Sequence, residues 1–135
     1  MSLSLVFTIC NTLVLPQWLL MIVAPRWQWT QKLIRSTIIP ITLALVYGFF
    51  IFSIREAEGG FGSLEEVKKL FSYDVLILAG WIHYLVFDLL VGTWVLTNGQ
   101  EKGIPHWQLV PCVLGCFLMG PLGFLLYRII SYFKR

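Results

Sequence analysis

The stretch "DVLILAGWIHYLVFDLLVGTWVL", residues 74–96, decides the fold. It exceeds the roughly 20 apolar residues that a helix needs to cross a hydrocarbon core, yet it carries His83 and Asp88 near its middle. Lipid offers no partners to open backbone groups, so such a run must be helical. The rest of the chain has the same character. Of its 135 residues, 58% are hydrophobic and 13% charged, with a mean hydropathy of +0.79. Soluble domains carry about 25% charged residues, so this chain lacks the polar surface that water requires. One membrane domain over residues 1–135 is expected. The net charge of +3 is dispersed and gives no nucleic-acid footprint. Cys10, Cys112 and Cys116 all lie in apolar runs, which argues against a disulfide framework.

Three further runs reach spanning length: residues 2–24, 36–54 and 106–127, the last followed by Arg128, Lys134 and Arg135. The expected fold is all-α, a polytopic bundle of four transmembrane helices running up and down. Residues 1–25 show no basic signal-peptide start and no Arg- and Ser-rich transit character, so a mature organellar or prokaryotic chain is expected. The connection "APRWQWTQKLIRS" carries Trp27 and Trp29 as interface anchors. In the long connection, "SLEE" reads as a capping box with Ser63 as cap and Glu66 answering. Leu64, Val67, Leu70 and Phe71 follow at helical spacing, so a short amphipathic interfacial helix over 63–71 is expected between helices two and three. "GGFG" lacks the Lys-Ser/Thr continuation of a phosphate loop and reads as a bend. Pro16, Pro40, Pro111 and Pro121 each free a carbonyl in or near a span.

Four spans place both termini and the long loop on one face. That face then holds Arg55, Lys68, Lys69, Arg128, Lys134 and Arg135, against Arg26, Lys32, Arg35 and Lys102 on the other. The positive-inside rule does not orient a chain whose basic residues divide so evenly.

Counting from the starts of the runs puts Asn11, Tyr47 and His83 in one polar layer and Gln17 with Asp88 in another. Ser4, Thr8, Asn11, Leu15 and Trp18 share a stripe expected to face inward. His83 and Asp88 lie about 140° apart around their helix and face different neighbours. Asp88 shares a ridge with Gly80, Tyr84 and Gly92, and Cys112, Cys116 and Gly120 form a ridge of the same spacing in the fourth run. Such ridges admit close helix approach and are candidate docking faces for membrane-protein partners. Asn, Gln and Tyr in a bundle commonly do no more than bond across helices, at about 0.6 kcal/mol each. An aspartate costs about 2.5 to 3.5 kcal/mol on insertion scales, which makes His83 and Asp88 the functional candidates. Cys112 and Cys116 lack companion ligands, so no metal site is expected.

The runs "GWIHYLVFDLLVG" (80–92), "GIPHWQLVPC" (103–112), "MGPLGFLLYRII" (119–130) and "NTLVLPQWLLMIVAPRW" (11–27) resemble the abscisic-acid-deficient-4-like family of small membrane proteins. The resemblance covers nearly the whole chain and rests most firmly on Trp81, His83, Asp88, Gly120, Pro121 and Gly123. The absence of a plastid-targeting extension looks like a bacterial or cyanobacterial member. That family is implicated in making neoxanthin from violaxanthin, so the resemblance implies a carotenoid-like lipid partner in a thylakoid or bacterial plasma membrane. It also implies an isomerisation that needs no redox cofactor. A base removes the C7 proton while an acid protonates the epoxide oxygen, and His83 and Asp88 suit those roles. Asn11, Gln17, Tyr47, Trp81 and Tyr84 are the expected ligand-binding residues. Two other readings stay open: a non-catalytic carotenoid-binding or assembly subunit of a photosynthetic membrane complex, and a haem-binding electron carrier using His83.

Overall fold

The computed structural model describes residues 1–134, and these form helices joined by turns. In chain order they are α1 (Leu3–Val23), α2 (Gln28–Ser36), α3 (Ile38–Ser53), α4 (Leu64–Leu70), α5 (Asp74–Glu101), α6 (His106–Met119) and α7 (Pro121–Phe133). Three runs are long and apolar enough to cross a membrane: Leu3–Val23, Gln28–Ser53 and Asp74–Glu101. Their outward faces are covered by side chains such as Leu19, Leu45, Phe49, Phe52 and Phe87, which lipid solvates and water does not.

The central element is α5. It packs against α1, α3, α6 and α7, and its Ile82, Leu89, Val95 and Leu96 are fully enclosed. The inward stripe of α1 differs from the expected one. Cys10, Val14, Gln17, Trp18 and Met21 are buried, whereas Ser4, Thr8 and Leu15 are exposed. The helix is turned by about one residue, or 100°. The hydroxyls explain this: Thr8 donates to the Ser4 carbonyl at 3.0 Å and Thr12 to the Thr8 carbonyl at 2.8 Å. Satisfied within their own helix, they need no inward partner.

The connection after α1 is itself a helix, α2, with Lys32 standing 4.7 Å over the Trp29 ring. It bends into α3 at Thr37, which adopts a left-handed backbone with φ 51°. Pro40 and Pro121 sit in the first turns of α3 and α7, where a missing N–H removes no helical bond. They begin helices rather than kink them. The helix expected in the long loop is present as α4. Ser63 Oγ accepts from the Glu66 N–H at 3.2 Å, and Glu66 Oε2 accepts from Gly62 rather than from Ser63. No residue of α4 is buried.

The fourth run does not form the single long helix expected of it. It breaks at Gly120 (φ 38°, ψ −92°) into α6 and α7, and these fold back on each other. A Cβ on Gly115 would stand 2.7 Å from the Gly123 Cα, and one on Gly123 would stand 2.0 Å from the Cys116 nitrogen. Leu109 of α6 lies against Gly99, and Tyr127 of α7 donates to Asn98. Both arms of the hairpin therefore meet α5 at one level near its end, while the tip, Gly120, meets Asp88 at its middle. With 14 and 13 residues, each arm is about 20 Å long, short of the roughly 30 Å a span requires. Helix α7 consequently ends beside the C-terminal end of α5, opposite the start of α1.

Candidate functional site

Pairing of α1 with α5 keeps Asn11 near the expected level, sets Gln17 about five residues beyond Asp88, and separates the polar groups around α5. Asn11 Oδ1 accepts from the Trp81 indole N–H at 2.8 Å. Gln17 Nε2 donates to Thr93 Oγ1 at 3.0 Å, and Thr93 in turn donates to Met21 Sδ at 3.4 Å. Gln17 thus joins Thr93 rather than Asp88, and Asn11 joins Trp81 rather than His83. Trp81 stacks on Tyr84 at 5.2 Å and packs on Phe7 at 5.6 Å. The Gln17 carbonyl is buried and has no hydrogen-bond partner among the described residues.

His83 points to the opposite side, into a groove between α3 and α5. The groove has a volume of about 520 Å³ and is walled by Pro40, Ile41, Ala44, Val86, Phe87 and Leu90. Tyr47, also in its wall, places its ring 5.7 Å from the imidazole, and Phe87 lies 4.8 Å away on the other side. Pairing of His83 with Tyr47 follows the expected layer, because α3 runs antiparallel to α5.

Asp88 faces the hairpin. Its Oδ1 lies at the Gly120 notch, and the Tyr84 hydroxyl lies within hydrogen-bonding reach of its carboxyl. Oδ2 is buried with no hydrogen bond among the described residues. The two ridges read from the sequence do meet here: a Cβ on Gly92 would touch Cys116 at 3.6 Å, beside the Trp18 ring. They are filled from within the chain at Gly92, Cys116 and Gly120, and Phe71 lies against Gly80.

His83 and Asp88 therefore do not face one reacting group. Sequence reasoning missed the Tyr127–Asn98 bond, because it placed those residues at opposite ends of the bundle. His106, at the start of α6, makes the helix-terminus contact that its position suggests: its Nε2 lies 2.7 Å from the Ile22 carbonyl at the end of α1. Among the described residues, no group of three His, Cys, Asp or Glu side chains could hold a metal ion.

These features define a class: an all-helical chain with three helices long and apolar enough to cross a membrane and a short helical hairpin packed beside the third. Within that class, the ABA DEFICIENT 4-like family pattern matches residues 5–127, and the chain belongs to that family. It is similar to the protein ABA DEFICIENT 4, chloroplastic, of Arabidopsis thaliana, with 32% identity over 139 residues. The match covers 96% of this chain and 60% of that relative's length. No solved structure matches the chain.

Proposed function

We propose that the chain is an integral, multi-pass membrane protein of xanthophyll metabolism, in a thylakoid or bacterial plasma membrane. The α3–α5 groove takes one end of a carotenoid-like lipid. The observation that carries this reading is the groove itself: apolar walls around His83 and Tyr47, opening sideways between exposed Ile41, Phe87 and Leu90. A ligand dissolved in lipid enters such a groove without crossing water. The stretch of α3 from Thr37 to Tyr47 is about 15 Å long, enough for a cyclic end group and the first part of a polyene. Charged, amphipathic α2 forms the outer end of the Gln28–Ser53 run, and exposed α4 lies at the opposite membrane surface in this arrangement.

The chemistry assigned to the groove is the opening of a 5,6-epoxide to an allenic alcohol. A base takes the C7 proton, the C6–O bond opens, and an acid returns a proton to the oxygen. Atoms and electrons balance without a redox partner. His83 serves as base and Tyr47 as acid, since these two face the same space. Asp88 serves the hairpin instead.

The test is the pigment profile of carotenoid-producing cells expressing the wild type, His83→Gln or Tyr47→Phe. At equal protein level each variant should lower conversion by about 100-fold or more. Carotenoid that copurifies with the wild type but stays chemically unchanged would instead mark a non-catalytic binding subunit. Unaltered conversion in His83→Gln would remove the groove from the chemistry.

A further inference from the structure

A four-span bundle would place Lys102 and Arg128 on opposite faces. The hairpin brings them together, because α7 returns to the level at which α5 ends. Both line one cleft of about 300 Å³, with Ile129, Ser131, Tyr132 and Phe133 completing the wall. The two cations come from separate elements, the C-cap of α5 and the third turn of α7. Among the described residues no carboxylate lines the cleft; Glu101, next to Lys102 in the chain, does not.

We propose that this cleft holds the phosphate headgroup of an anionic membrane lipid. A cation that merely anchors a helix end extends alone to the interface and needs no cleft. Two cations lining one concavity both attract an anion placed in it. A lipid rather than a free ion is favoured by the apolar part of the wall. Exposed Ile129 in the wall, with exposed Phe124 and Leu125 one turn before Arg128 on α7 toward the hairpin tip and the membrane interior, gives a surface along which a glycerol backbone and the start of an acyl chain would lie. Basic pockets at membrane-facing helix ends are suited to such headgroups. Ser131 is buried, with its hydroxyl donating to the Arg128 carbonyl at 3.3 Å, which holds the wall of the cleft in place.

The inference rests on the membrane placement proposed above and is independent of the groove chemistry. The test reconstitutes the full chain in bilayer discs containing equal phosphatidylglycerol and phosphatidylcholine and measures retained lipid by native mass spectrometry. Wild type should prefer the anionic lipid on the order of thirtyfold, since each of the two cations near the surface contributes about 1 kcal/mol. The double variant Lys102→Gln/Arg128→Gln should show a preference near one. The charge-keeping Lys102→Arg/Arg128→Lys should retain it, as should Lys32→Gln/Arg35→Gln, whose cations stand on α2 outside the cleft. Equal loss in the α2 variant would mean diffuse surface attraction and overturn the site. Wild type alone gives a second measurement: phosphatidylglycerol should raise its Tm, whereas millimolar inorganic phosphate should not. A rise with inorganic phosphate alone would replace the lipid with a small anion. Failure of the membrane placement is distinguishable, because alkaline washing would then release the protein from membranes.

Discussion

Asp88 and Gly120 meet so closely that a Cβ on Gly120 would stand 2.6 Å from Asp88 Oδ1. The glycine at the α6–α7 turn thus leaves the space that an aspartate in the middle of α5 occupies. An irregular turn at membrane depth is tolerated only where protein covers it, and here the cover is a carboxylate at the start of 13-residue α7. Negative charge is stabilised at a helix N-terminus. This gives Asp88 a structural reason to sit in an apolar run: it holds the hairpin tip.

Replacement of Asp88 separates this role from catalysis. Asp88→Asn keeps the shape and a polar group at the helix end, so stability should change by less than about 1 kcal/mol. Asp88→Leu removes the polar cover of the turn and should cost about 3 kcal/mol. Unfolding titrations in mild detergent read both values. Conversion per folded molecule should stay within a few-fold of wild type for Asp88→Asn. A hundredfold loss at full abundance would return Asp88 to the catalytic role that the sequence suggested.

The hairpin also depends on Gly123. A Cβ there would stand 2.0 Å from the Cys116 nitrogen, 2.4 Å from the Gly115 carbonyl carbon and 2.5 Å from the Cys112 oxygen. These are backbone atoms of a packed helix and cannot swing away. Gly123→Ala should therefore cost about 3 kcal/mol, whereas Gly48→Ala, with nothing within 4 Å, should be neutral or slightly stabilising. Equal effects in the same titration would mean that α6 and α7 do not pack face to face.

The buried Gln17 offers a test of opposite sign. Its amide donates to Thr93, but its carbonyl oxygen has no partner among the described residues. Thr93 keeps a second contact, to Met21 Sδ. Gln17→Leu removes one bond and one unsatisfied acceptor together, so stability should change by less than about 1 kcal/mol in either direction. A loss above about 2 kcal/mol would show that the oxygen has a partner in the folded protein.

Depth was readable for Asn11 and Tyr47 but not for Gln17, which reaches Thr93, and direction around the helices was not readable. Counting from helix starts brought Asn11 near the level of Trp81 and His83, and Tyr47 beside His83, because rise per residue is constant. The facing of α1 failed because in lipid a threonine can turn outward once it bonds to its own helix, so polarity no longer marks the inside. The ridge of Cys112, Cys116 and Gly120 was read correctly against Gly92 and Asp88, since small residues mark close approach in lipid as well as in water. The hairpin was hidden because residues 106–127 are apolar enough for one span. Only the dihedral angles at Gly120 distinguish a span from two half-length arms, and "MGPLG" permits either. His83 and Asp88 were identifiable as costly residues, but their separate partners required the packing of α3 and of the hairpin.

The hairpin also redistributes the charges that a four-span bundle divides almost evenly. With three spans, Arg26, Lys32, Arg35, Lys102, Arg128 and Lys134 fall at the face where α1 and α5 end, with Glu101 as the accompanying acid. The opposite face has Arg55, Lys68 and Lys69 among Glu56, Glu58, Glu65, Glu66 and Asp74. Lysine and arginine bias sets topology in short loops, so the first face should stay on the side from which the chain is inserted. Single cysteines introduced at Glu65 and Lys134 provide the measurement. Cys10, Cys112 and Cys116 are buried, so the added thiol should dominate labelling by a membrane-impermeant reagent. In sealed right-side-out vesicles Glu65→Cys should label before lysis and Lys134→Cys only after it. Labelling of both from one side would restore the fourth span, and with it separate Lys102 from Arg128 and Asn98 from Tyr127.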